Sequence, residues 1–119
     1  IENNNKIMAL GVTEIEFDNR HYDYLAKYTK NKSLHFLPAR IPNLKYKFLM
    51  EISKKIFRVC NCKGIARLDF IISNKNKKIY FLEMNTHPGL TKISLAPEQA
   101  KYQSFSYLYL LEQIINSSL

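Results

Sequence analysis

Two β-forming runs, GIARLDFII and KIYFLEM, flank the polar segment SNKNK at residues 73–77, and this stretch constrains the fold more than any other. Short β-rich runs around a polar turn read as an antiparallel hairpin. Side chains alternate across a strand. Arg67, Asp69 and Ile71 therefore share one face, with Ala66, Leu68, Phe70 and Ile72 on the other. The second run divides likewise into Phe81, Glu83 and Asn85 against Tyr80, Leu82 and Met84. The register that opposes Asp69 to Glu83 also opposes Arg67 to Asn85 and leaves residues 74–78 as the loop. One face is then nearly all apolar and packs on the core, while the other carries two carboxylates, a carboxamide and a guanidinium.

Like charges directly opposed across a sheet are destabilising unless a cation sits between them. Arg67 is one such cation, giving a salt-bridged sheet face of the kind common in ion-pair networks. A divalent ion is the other. Oxygen donors without His or Cys select Mg²⁺, which takes one or two carboxylates together with substrate phosphates. Both readings are open on the residues alone. A nucleotide site would ordinarily prompt a search for a glycine-rich phosphate loop, but Gly11, Gly64 and Gly89 are isolated, so neither GxxxxGK[ST] nor GxGxxG is present. Phosphates fall to a metal and to lysines.

At 119 residues the chain is one domain at most. Its first residues, IENNNKIMAL, read as an apolar end, an Asn-rich turn and a returning strand without a first half, so the start is expected to be a cut edge. A strand is predicted from about Ile7 to Phe17, and a long loop over residues 18–42. After Pro42, Leu44, Phe48, Ile52, Ile56 and Val59 recur at helical spacing, with Gly64 as the predicted stop. A short helix is predicted near Ala96–Lys101, then a last one over Ser106–Asn116 with Leu108, Leu111 and Ile115 as its apolar stripe.

A formal charge of +8 suits phosphate-bearing ligands or nucleic acid. The lysines are scattered, however, and the densest run, KNKK, falls at the hairpin tip. A basic nucleic-acid-binding domain would show a contiguous basic stripe with aromatics, whereas the polar sheet face here is acidic, so nucleic acid is not an expected partner. No apolar run reaches the ~18 residues that span a bilayer, and no signal-peptide pattern opens the sequence. Cys60 and Cys62 form CxC without a second ligand pair, and are read as reduced structural thiols rather than a zinc site.

RLDF followed by LEMNTHPGLTKISL resembles the metal- and substrate-binding end of ATP-grasp enzymes. NTHPGLTKISLAPEQA, together with YDYLAKY at residues 22–28, resembles the D-alanine–D-alanine ligase family within them, over nearly the whole chain. The resemblance implies an α+β fold, the C-terminal part of an ATP-grasp domain with a largely antiparallel sheet and packed helices. Residues 1–119 would lack the N-terminal substrate domain and the central ATP-binding subdomain, and residues 18–42 would form a lid-type loop. It implies that ATP phosphorylates one D-alanine and that the amine of a second attacks the acyl phosphate, for peptidoglycan precursors. D-lactate or another acceptor is the near alternative.

Residue by residue, the resemblance implies Asp69, Glu83 and Asn85 as ligands of Mg²⁺ (or Mn²⁺), and Arg67 with the Gly89 N–H as oxyanion donors. It implies Ser94 and the Leu95 N–H as a cradle for the second substrate's carboxylate, Lys27 directed to phosphate, and Tyr28 closing over the amine donor. From the pleat, Ile71 and Phe81 are expected to floor the adenine pocket. Leu25 departs from the family's frequent YEAKY, and His87 lies where the family varies and is not read as a base. A cytoplasmic location, a homodimeric parent and no activity of this segment alone complete the expectations.

Overall fold

The computed structural model describes residues 1–3, 6–17 and 33–118. The chain runs β1 (Glu2–Asn3), β2 (Lys6–Ile7), β3 (Glu14–Phe17), β4 (Ser33–Phe36), α1 (Asn43–Val59), β5 (Arg67–Ile72), β6 (Ile79–Asn85), α2 (Leu95–Tyr102) and α3 (Tyr107–Ser118). Among the described residues the strands pair antiparallel as β1 with β2, β3 with β4 and β5 with β6. β1 and β2 flank the Asn-rich turn expected at the start, whose residues 4 and 5 lie outside the described residues. Ile1, Leu10, Ile65, Ala96, Ala100 and Leu110 form the buried cluster, with Met8, Phe105 and Ile114 packed against it.

The single strand expected over residues 7–17 is instead two short strands with an irregular segment between them. Its backbone polar groups find partners outside any ladder, as buried backbone must. The Val12 N–H donates to the Tyr46 hydroxyl at 3.2 Å, and the Leu10 carbonyl accepts from Gln103 Nε2 at 2.6 Å. A side chain of α1 and one at the C-cap of α2 thus replace a neighbouring strand. The loop expected over 18–42 is interrupted by β4, whose residues pair Glu14 with Phe36 and Ile15 with His35.

Helix α1 forms as predicted but ends earlier and turns a different face inward. Asn61 takes φ 49°, its N–H donates to the Arg58 carbonyl at 3.0 Å, and the Cys62 N–H reaches the Phe57 carbonyl at 3.1 Å. This is a Schellman stop with Asn in the left-handed position. Gly64, at φ 66°, instead serves the entry to β5, where its carbonyl accepts the Glu2 N–H at 2.8 Å. The buried residues of α1 are Leu49 and Phe57, whereas Leu44, Phe48 and Val59 of the expected stripe are exposed. The tie from Lys45 Nζ to the Lys77 carbonyl, 2.6 Å, joins α1 to the hairpin tip.

Helix α2 matches expectation, and α3 repeats the discrepancy of α1. Leu110 is fully buried and Gln113 nearly so, while Leu108 and Ile115 of the expected stripe are exposed. Apolar residues lie almost all round α3, so spacing admits two stripes, and the packing partners decide between them.

Candidate functional site

The β5–β6 hairpin is closed by its own polar loop. The Ser73 N–H donates to the Lys78 carbonyl at 2.9 Å, the Lys78 N–H to Asn76 Oδ1 at 3.0 Å, and Lys77 takes φ 57°. From this end Ile72 opposes Ile79, Ile71 opposes Tyr80 and Phe70 opposes Phe81. The register then shifts, and Asp69 opposes Glu83 and Arg67 opposes Asn85, as the alternation predicts. The irregularity leaves Leu82 without a ladder partner, a β-bulge, and bulges of this kind re-aim side chains beside functional sites.

That bulge corrects one expectation. Ile71 and Phe81 were expected on the metal-bearing face together, but Phe81 pairs with Phe70, their ring centroids 5.4 Å apart at 57°. Ile71 keeps the alternation of Arg67 and Asp69, and Phe81 has crossed to the opposite side. A floor built from both residues is therefore not what the hairpin presents.

On the polar face, Arg67 Nε and Nη2 donate to Asp69 Oδ1 and Oδ2, both at 2.8 Å, and Nη2 lies 3.9 Å from Glu83 Oε1. A bidentate guanidinium–carboxylate pair is strong and geometrically fixed. The hydrogen bonds to Asp69 raise the guanidinium further above its already high range. Asn85 Oδ1 accepts the His87 N–H at 2.9 Å, which bends the chain out of β6 into the Pro88–Gly89 turn.

These residues fit a hard divalent cation. Two opposed carboxylates and an amide oxygen supply hard oxygen donors, and each Asp69 oxygen keeps a lone pair free beside its bond to Arg67. Among the described residues no group of three or more His, Cys, Asp or Glu converges, so the two carboxylates would need other oxygens to complete a shell. A site of few protein ligands completed by phosphates is the arrangement Mg²⁺ favours.

Beyond Asn85 the chain folds back on Ser94. Ser94 Oγ accepts the Thr91 N–H at 3.2 Å and shares a 2.7 Å hydrogen bond with Thr91 Oγ1, while the Tyr107 hydroxyl donates to the Leu90 carbonyl at 2.7 Å. A Cβ on Gly89 would stand 2.8 Å from Ser94 Oγ, closer than real Cβ contacts, so glycine is what lets the turn close. Ser94 is the N-cap of α2, yet its hydroxyl turns toward Thr91 rather than capping the helix.

The result is a cavity of about 190 Å³ lined by His35, Arg67, Pro88, Gly89, Ile93, Ser94, Leu95 and Ala96. The structure therefore gathers Arg67, Gly89, Ser94 and Leu95 around one space, and Arg67 belongs both to it and to the carboxylate face. Lys27 and Tyr28 lie outside the described residues. His35 was missed because its segment was read as loop. The signal was present, since SLHF, a short β-rich run, pairs with EIEF.

The opposed-carboxylate hairpin, the glycine turn and the helix start together form an α+β arrangement of the kind found at the C-terminal end of ATP-grasp domains. A family model described as D-ala D-ala ligase C-terminus matches residues 1–116, and the chain belongs to this family. It is 47% identical over 108 residues, 90% of its length, to a D-alanine–D-alanine ligase of Rickettsia typhi, of which that span is 34%. Among solved structures it resembles the VanG D-Ala:D-Ser ligase of Enterococcus faecalis, with TM-score 0.72 and 32% identity, covering 92% of this chain and 32% of that one. It also resembles a D-alanine–D-alanine ligase of Bacillus anthracis complexed with ATP, with TM-score 0.63 and 27% identity, covering 71% and 29%. The chain spans about a third of the length of the curated relatives it matches.

Proposed function

We propose that this chain is the C-terminal third of an ATP-dependent D-alanine–D-alanine ligase, supplying the metal, oxyanion and acceptor-carboxylate groups of a reaction whose remaining groups come from the rest of the enzyme. The observation that carries this reading is the position of Arg67, bidentate on Asp69 at 2.8 Å while lining the cavity with Gly89, Ser94 and Leu95. One guanidinium thus links a carboxylate face suited to a metal–nucleotide with a pocket suited to an amino acid.

In this reading Asp69, Glu83 and Asn85 would hold Mg²⁺ (or Mn²⁺), which when bound would supply positive charge to compensate phosphate oxygens. Arg67 and the Gly89 N–H aim donors at the oxygen that gains charge when an amine attacks the activated carboxyl, and fixed donors act where charge develops. The start of α2, with Ser94 and the Leu95 N–H, receives the acceptor's carboxylate, favoured there by unpaired amides and the helix dipole. Ile71, on the carboxylate side of the hairpin, is kept as an adenine contact, and Phe81 is not. Lys27 and Tyr28 are assigned to phosphate and to the amine-donor side, respectively. The substrates, ATP and D-alanine, place the reaction in the cytoplasm, on the path to peptidoglycan precursors, with a dimeric parent and no role for nucleic acid.

In the full-length ligase that carries this segment, Asp69→Asn and Glu83→Gln are expected to lower ATP turnover with D-alanine by at least about a hundredfold, the scale of losing one strong electrostatic contact in a transition state. Unchanged turnover in both variants sinks the assignment. The likeness to a D-Ala:D-Ser ligase favours a second reading, in which the acceptor is not D-alanine. Comparing D-alanine, D-serine and D-lactate as acceptors decides between the two. With Tyr28→Phe, D-lactate use should rise relative to D-alanine, and an unaltered preference removes Tyr28 from acceptor choice.

A further inference from the structure

Ser94 is assigned to the acceptor's carboxylate, yet its hydroxyl is engaged inside the turn that precedes α2. Its oxygen accepts the Thr91 N–H at 3.2 Å and lies 2.7 Å from Thr91 Oγ1, a bond in which either hydroxyl can donate. A serine hydroxyl has one hydrogen to give and two lone pairs to fill. An ionised carboxylate only accepts, so Ser94 can hold one only with that single hydrogen. The direction of the bond between Thr91 and Ser94 therefore decides whether Ser94 serves the cavity it lines.

If Ser94 donates to Thr91, its hydrogen is used inside the turn. If Thr91 donates, its amide and its hydroxyl together fill both lone pairs of Ser94 Oγ, and the hydrogen is left for a ligand of the cavity. A carboxylate in the cavity selects the second arrangement. The amide that takes part is held from behind. The Leu90 carbonyl and the Thr91 N–H belong to one planar peptide and point in opposite directions. The carbonyl accepts the Tyr107 hydroxyl of α3 at 2.7 Å, so the peptide pinned at its oxygen aims its N–H at Ser94. The Thr91 carbonyl in turn accepts the Ser94 N–H at 2.9 Å. Hydrogen bonds in such a chain polarise one another. The hydroxyl they hold lies against Gly89, where an added Cβ would meet Ser94 Oγ at 2.8 Å, and the Gly89 N–H is the group assigned to the oxyanion.

We propose that Thr91 and Tyr107 are positioning residues for the acceptor's carboxylate, which set the Ser94 hydroxyl as a donor into the cavity. Neither is among the residues lining the cavity. Thr91 acts by filling the lone pairs of Ser94, and Tyr107 by orienting the peptide that carries one of the two donors. The proposal rests on the ligase reading and deepens it at the start of α2.

The test is steady-state kinetics of the full-length ligase, varying D-alanine and ATP separately. The variants are Ser94→Ala, Thr91→Val, Thr91→Ser and Tyr107→Phe, with Thr91→Val and Tyr107→Phe also combined with Ser94→Ala. Ser94→Ala is expected to raise KM for the acceptor D-alanine about tenfold or more, the scale of losing a hydrogen bond to a charged group, with KM for ATP within twofold. Thr91→Val and Tyr107→Phe should each raise it about threefold to tenfold, the scale of one ordinary hydrogen bond. Thr91→Ser keeps the hydroxyl and should stay within about twofold of wild type, which a contact through the threonine methyl would not allow. In the Ser94→Ala background, Thr91→Val and Tyr107→Phe should each add less than about twofold, because both act through the hydroxyl that is gone. Losses that multiply in the double variants overturn the proposal. So does an acceptor KM within twofold of wild type in Thr91→Val, Tyr107→Phe or Ser94→Ala, or a rise shared equally with ATP. If Thr91→Val does not fold, Tyr107→Phe alone and with Ser94→Ala decides by the same criteria. A wild-type enzyme that turns over no ATP with D-alanine is the failure of the ligase reading and takes this proposal with it, whereas an active wild type with multiplying losses sinks this proposal alone.

Discussion

The β5–β6 hairpin and the helices α1 and α3 answer differently to the same kind of inspection. On the hairpin, alternation alone opposes Asp69 to Glu83 and Arg67 to Asn85, and the structure has that register. On the helices, spacing selects Leu44, Phe48, Ile52, Ile56 and Val59 in α1 and Leu108, Leu111 and Ile115 in α3, and five of these eight are exposed while Ile52, Ile56 and Leu111 are half-buried. The difference lies in what fixes each element. A strand has two faces, and a misplaced carboxylate costs too much for the wrong one to be chosen. A helix with apolar residues on most sides has a continuum of faces, and the one buried is set by what lies against it. Nearly all of α3 is apolar or neutral, and its buried stripe includes Gln113, a residue no apolar pattern would select.

The largest expected effect tests the helix half of this comparison. Leu110 has 0% exposure at the centre of the core cluster. Leu110→Ala should cost about 2–5 kcal/mol in urea or thermal unfolding of the chain, the range for emptying a buried leucine site. Leu108, 65% exposed one turn face away, should cost less than about 0.5 kcal/mol when changed to Ala. Equal losses at the two positions would mean that the stripe chosen by spacing is buried after all.

A smaller effect tests the hairpin half at the point where alternation failed. The bulge at Leu82 puts Phe81 against Phe70 rather than beside Ile71. A double-mutant cycle of Phe70→Ala and Phe81→Ala should show a coupling of about 0.5–1.5 kcal/mol, the range for aromatic pairs beyond their buried area. A cycle of Phe81→Ala with Ile71→Ala should show none. The opposite result would restore an unbroken ladder and with it the shared face.

What was legible follows from these contrasts. The β5–β6 pairing and the existence of α1, α2 and α3 are written in local patterns, whereas Gly89, Ser94 and Leu95 were expected from the family resemblance alone. Local pattern does not reveal that Asn61 rather than Gly64 closes α1, because both can take a positive φ and the choice depends on the bond from Cys62 to Phe57. Nor does it reveal the irregular segment between β2 and β3, whose partners Tyr46, Gln99 and Gln103 lie 34 to 93 residues away. The contact of His35 with Glu98, 63 residues on, was invisible for the same reason, although the strand that carries His35 was not.

The smallest effect separates the two charged hairpins from each other. β3–β4 carries the same device as β5–β6: Glu14 and Glu16 lie along one face, and Arg40 bridges them at 2.8 and 3.0 Å while covering the Phe36 ring. Here, however, the cluster is at the surface, where ion pairs contribute little and are screened by salt. Hydrogen bonds from Arg40 lower the Glu14 carboxyl pKa below its usual 4.5. A depressed carboxyl favours the folded state once the unfolded group has ionised, so its contribution is present above about pH 4.5 and is lost as pH falls through the folded value. Wild type should therefore melt slightly above Glu14→Gln near neutral pH, the gap closing on acidification below 4.5 and shrinking in high salt. A gap that persists in acid would mean that Glu14 contributes through packing, and that the resemblance between the two hairpins ends at the arrangement of their charges.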